Sequence, residues 1–164
     1  FGHSRPFDFS PTFEAAEGIE KFDAGTPPIL SLAALEIGLD ITLEAGIQSI
    51  RKKSESLTSF LMSLIKEELL PLGFKLESPV ELSERGSHIT LSHLASWRIC
   101  QCLLQGKNNG LKIIPDFRPD KYIRLGIAPL YIGFNDLLLT VERLKEIILE
   151  KEFEQYDEQR PTVT

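Results

Sequence analysis

The stretch Tyr122-Ile123-Arg124-Leu125-Gly126-Ile127-Ala128-Pro129-Leu130-Tyr131 decides the fold. Its apolar and β-branched residues from 122 to 127 suit a strand packed on a core. Pro129 has no N–H to give to a ladder, so the strand stops there. Arg124 is the exception inside it. A guanidinium in an apolar strand is costly unless it meets an anion. Its planar fork can give a carboxylate two parallel hydrogen bonds. Gly126 leaves room for close approach at the same spot. Two readings of Arg124 stand side by side: an anchor for an external carboxylate, or an internal salt bridge to Asp116, Asp120 or Asp136.

Working outward, Leu111 to Ile114 reads as a further strand, joined to this one through Pro115–Asp120. His88-Ile89-Thr90-Leu91-Ser92 is another, entered through Glu84-Arg85-Gly86-Ser87, and Gly73-Phe74-Lys75-Leu76 is a fourth. Between them, residues 96–105 suit a short helix before a polar turn at 106–110. A helix from about 47 to 72 carries Ile50, Leu57, Phe60, Leu61, Leu64 and Ile65 at three- and four-residue spacing, ended by Pro71 and Gly73. An amphipathic helix spans about 135–153. Pro27-Pro28 opens a further helical run, almost wholly apolar from Ile29 to Leu43, which predicts burial on most faces. The order α-α-β-β-α-β-β-α predicts an α/β chain of the α+β kind: a small, mainly antiparallel sheet covered by helices.

Residues 1–27 differ, with Phe1, Phe7, Phe9, Phe13 and Phe22 scattered among prolines and glycines and no lasting period. Such a segment is expected to dock on another surface, because an uncovered aromatic set is a liability. The expected organisation is therefore a docking segment at 1–27, a small domain at 28–153 and a frayed, charged tail at 154–164.

Composition narrows the function. The 164 residues carry a net charge of -6, with the basic residues scattered apart from Arg51-Lys52-Lys53, a triplet read as a solvated helix face. This argues against a nucleic-acid partner. No apolar run is long enough to span a membrane. Cys100 and Cys102 make no disulfide framework, so a cytoplasmic setting is expected. Two residues apart on a helix, they point to different sides and suit core packing better than a metal. His88 and His93 would face opposite sides of a strand, and no metal site is expected. His3 stays open. No nucleophile elbow, Walker loop or dinucleotide fingerprint occurs. Either the protein only binds something, or its chemistry sits on residues outside this chain. Gly25-Thr26-Pro27-Pro28 places a hydroxyl just before a helix, where it could cap the helix or meet a phosphate.

Phe1-Gly2-His3, Gly25-Thr26-Pro27-Pro28-Ile29, Arg51-Lys52-Lys53-Ser54 with Leu57-Thr58, Glu84-Arg85-Gly86-Ser87, Asp116-Phe117-Arg118 and Arg124-x-Gly-x-Ala-Pro-Leu-Tyr131 together resemble, in this order, the C-terminal part of kynureninases. The resemblance runs from Phe1 to about Phe153. It implies the C-terminal domain of the aspartate-aminotransferase-like fold, in a fold-type I pyridoxal-phosphate enzyme. It also implies hydrolysis of the Cβ–Cγ bond of L-kynurenine to anthranilate and L-alanine, by a homodimer. Carried over residue by residue, it makes Arg124 the holder of the substrate α-carboxylate. Thr26 becomes a contact to the cofactor phosphate across the dimer interface. The Schiff-base lysine lies upstream in the family, so the resemblance implies no catalytic residue in this chain and no turnover by the chain alone. A cysteine lyase, desulfurase or aminotransferase of the same superfamily, or a non-catalytic binding module, are the alternatives.

Overall fold

The computed structural model describes residues 2–107 and 110–159. The chain divides into two compact units, residues 1–46 and residues 47–164.

In the first unit, His3 organises the loop. Its Nδ1 accepts the Arg5 N–H at 2.8 Å, which leaves the proton on Nε2 to donate to the Thr12 carbonyl at 3.1 Å. Phe13 meets the imidazole edge-on at 5.6 Å. A lone antiparallel bridge pairs His3 with Ala15, and one 3-10 turn spans Gly18–Phe22. Helix α1 follows at Ile29–Ala45 and ends where Gly46 takes a positive φ of 76°. Not one residue of α1 is buried, against the expectation from its apolar run. Phe7, Phe9, Phe13 and Phe22 are exposed as well. The reason is composition without cover: α1 is apolar on most faces, and the described residues of the first unit do not enclose it.

The larger unit holds the core. Helix α2, Ile47–Leu64, runs on through a π-turn at Ile65–Leu69 and a 3-10 turn at Leu70–Leu72. The expected single helix to 72 loosens here because Pro71 cannot donate to the turn before it. Gly73 closes the run at φ 91°, a left-handed stop that a side chain would strain. Strands β1 (Lys75–Leu76) and β2 (His88–Ser92) precede helix α3 (Ser96–Gln105). Strands β3 (Asp116–Arg118) and β4 (Tyr122–Gly126) precede helix α4 (Phe134–Leu149). The sheet order is β1-β2-β4-β3, and every neighbouring pair is antiparallel. The expected small antiparallel sheet is therefore present, with the stretch quoted first as an interior strand.

One strand differs from the sequence reading. Residues 111–114 form no strand, and the ladder partner of β4 is Asp116–Arg118, inside the expected connection. Ile113 instead gives its N–H to the Leu103 carbonyl at 2.9 Å, tying the segment to the end of α3.

Strand periodicity sorts the faces of the sheet. Ile89 and Leu91 of β2 and Ile123 and Leu125 of β4 point to the helices. They meet Leu57, Leu61, Ile65 and Leu69 of α2 and its extension, Ile99 and Leu103 of α3, and Val141, Leu144 and Ile147 of α4. Each such side chain contributes about 1.5–3 kcal/mol when fully buried. Beyond α4, a 3-10 turn at Glu152–Gln155 brings Phe153 and Tyr156 onto this core, while Glu152 pairs with the buried Arg143 at 2.6 Å. Residues 160–164 of the expected tail lie outside the described residues.

Candidate functional site

The other face of the sheet carries polar side chains. Alternation along β4 puts Tyr122, Arg124 and Gly126 on it. Antiparallel register adds Thr90 and Asp116, both directly opposite Arg124, and His88 opposite Gly126. Arg118, two residues beyond Asp116, shares that face.

Arg124 is only partly enclosed, with its side chain 38% exposed. Its Nη2 donates to Asp116 Oδ2. The same oxygen accepts Arg118 Nε at 3.1 Å and lies 2.9 Å from Arg118 Nη2. Of the candidate carboxylates, Asp116 meets Arg124. Asp136 is used elsewhere, accepting the Gly133 N–H at 2.8 Å to cap α4. Burial on its own would raise the Asp116 carboxyl. Hydrogen bonds from Arg118 and Arg124 outweigh it and hold the group below the usual carboxylate range. A side chain at Gly126, on the same face, would meet only open space. A cavity of about 270 Å³ lined by Leu61, Ile113, Leu125, Ile127 and Leu137 does not include Arg124.

Residues that sequence reading passed over hold the ends of these strands. Arg51 donates from Nη1 to the Arg85 carbonyl at 3.1 Å and from Nη2 to the Leu82 carbonyl at 2.7 Å. Lys53 Nζ donates to the Pro129 carbonyl at 2.5 Å, just past β4. Two residues of the triplet read as a solvated face, Arg51 and Lys53, thus tie α2 to the loops leading into β2 and out of β4. Arg85 is itself buried, and its donors reach the Val80 and Pro79 carbonyls and the Thr58 and Ser59 hydroxyls. The signal available beforehand was only that charged residues recur in Glu84-Arg85-Gly86-Ser87 and Arg51-Lys52-Lys53. Their carbonyl partners are too distant in sequence to be read from it.

Thr26 lies in the first unit, exposed, two residues before the N-cap Pro28 of α1. No side chain caps α1, so Thr26 does not take the capping role. Cys100 and Cys102 are free and buried on α3. His88 is exposed, whereas His93 is half-buried against Phe74 at 4.8 Å. Among the described residues no group of His, Cys, Asp or Glu is arranged to hold a metal ion, and no helix is long and apolar enough to cross a membrane.

A small antiparallel sheet, helices over one face and a half-exposed arginine on the other define a small α+β domain. A family model described as the kynureninase C-terminal domain matches residues 50–144, which takes in the whole sheet. The chain belongs to the kynureninase family. It is 38% identical to a kynureninase of Bacillus anthracis over 159 residues, 97% of this chain and 36% of that protein. It is 39% identical to a kynureninase of Geobacillus thermodenitrificans over the same shares, and 35% identical to one of Pseudomonas fluorescens over 94% of this chain. The chain thus spans about 36% of the length of the curated relatives it matches.

Proposed function

We propose that this chain is the C-terminal portion of a pyridoxal-phosphate-dependent kynureninase, which hydrolyses the Cβ–Cγ bond of L-kynurenine to anthranilate and L-alanine. The observation that carries the reading is Arg124 on the sheet face away from the helices, half-exposed and joined to Asp116 through Nη2. That contact uses Nη2, and a guanidinium carries further donors on Nε and Nη1. Those donors can take a substrate α-carboxylate and orient the amino acid for the chemical step.

Thr26 suits a phosphate oxygen, since its hydroxyl is exposed and caps nothing. It is the one residue of this chain assigned to the cofactor, alongside groups outside the chain. When bound, pyridoxal phosphate supplies the electron sink, while the protein orients the substrate and tunes charge. The uncovered α1 and the exposed phenylalanines of residues 7–22 support docking on a large domain or on a second subunit of a homodimer. Free, buried thiols support a reducing, cytoplasmic setting.

The direct test is turnover by the full-length protein. Fluorescent anthranilate released from L-kynurenine supports this reading. Release of sulfide from cysteine, or amino transfer without anthranilate, would replace it with a desulfurase or aminotransferase.

A further inference from the structure

We infer that Asp116 and Arg118 are positioning residues for the carboxylate site: Asp116 aims the Arg124 guanidinium, and Arg118 keeps Asp116 from cancelling its charge. The inference rests on the reading of Arg124 as the substrate-carboxylate anchor and assigns it two supporting residues.

The geometry carries it. Asp116 stands directly opposite Arg124 in the β3–β4 register, so the backbone ladder fixes the distance between their Cα atoms. Contact with Asp116 is through one guanidinium nitrogen, Nη2, which pins the fork at one corner. A carboxylate paired with Arg124 alone would neutralise it and weaken its pull on an anion. Here the same Oδ2 also takes two nitrogens of Arg118, at 3.1 Å for Nε and 2.9 Å for Nη2. Two guanidiniums share one carboxylate, so within this triad one positive charge is left over, matching one substrate carboxylate. Arg118 is 57% exposed, so its contact with Asp116 is not a by-product of packing.

The experiment uses the full-length enzyme with pyridoxal phosphate bound, as wild type, Arg124→Ala, Asp116→Asn, Asp116→Glu, Arg118→Gln and the Asp116→Asn/Arg118→Gln double variant. Each is read by kcat and KM for kynurenine, and by inhibition with L-phenylalanine and with phenethylamine, the same molecule without the carboxylate. Asp116→Asn should raise KM about fivefold with kcat nearly unchanged, the size that a half-exposed ion pair supports. It should weaken L-phenylalanine by a similar factor and leave phenethylamine alone. Asp116→Glu should recover part of the loss. Arg118→Gln, at an exposed position where folding is not at risk, should raise KM about threefold. It should add nothing in the Asp116→Asn background, because it acts through Asp116. If Arg124→Ala raises KM while Asp116→Asn and Arg118→Gln leave it unchanged or lower it, the anchor stands and the positioning roles fall. If Arg124→Ala itself leaves KM unchanged, the anchor reading falls and this inference with it. Equal weakening of both inhibitors by Asp116→Asn would mark a general structural role and overturn the proposal.

Discussion

Asp116 and Arg124 face each other across an antiparallel strand pair, and one oxygen of Asp116 is shared between Arg124 and Arg118. The carboxyl is therefore held below its usual value of 3.8, by hydrogen bonds that outweigh the opposing effect of burial. The sign follows from linkage. A lowered folded-state value means that the pairing is intact above the ordinary carboxylate range and is lost as pH falls through the lowered value. A carboxyl NMR titration of this chain should show Asp116 titrating below 3.8. It should move upward when Arg118 or Arg124 is replaced by Gln. A titration unmoved by both replacements would contradict the shared pairing.

Cys100 and Cys102 should be chemically silent in the folded chain. Burial first, with nearby negative charge second, pushes both thiols up to about 12, so the reactive thiolate is scarce at neutral pH. Ellman's reagent should label neither in native buffer and both in urea. Fast labelling of the native chain would show that α3 does not pack as described.

Arg85 should matter for stability although it touches no carboxylate among the described residues. Its guanidinium satisfies the Pro79 and Val80 carbonyls and two hydroxyls of α2. Arg85→Ala strands those acceptors and should cost about 2 kcal/mol. Arg85→Lys keeps the charge but lacks the fork and should recover only part of it. Urea midpoints check this, and a change under about 0.5 kcal/mol for Arg85→Ala, the range of an ordinary surface substitution, would contradict it.

Where the sequence was legible, burial was periodic. Leu57, Leu61 and Ile65 mark the core face of α2, and Ile123 and Leu125 mark that of β4. Residues 111–114 misled because only Ile113 packs against the core, while Leu111 and Ile114 stay exposed and no ladder forms. The true edge strand, Asp116-Phe117-Arg118, looked like a turn because two of its three side chains serve a polar face. That also hid Arg118, whose place beside Arg124 becomes visible only once β3 is known to be a strand. Helix α1 was legible as a helix, but its exposure was not, since apolar composition does not say whether the covering surface lies in the same chain. Arg124 was legible as an uneasy charge. The register then supplied an internal partner, Asp116, with the side chain still partly exposed.

The central claim is that Arg124 holds the substrate carboxylate, and Arg124→Ala in the full-length enzyme tests it most directly. KM for kynurenine should rise about a hundredfold, as expected when one partner of a hydrogen-bonded charge pair is removed. The absorbance of the bound cofactor should stay nearly intact. An unchanged KM would contradict the account.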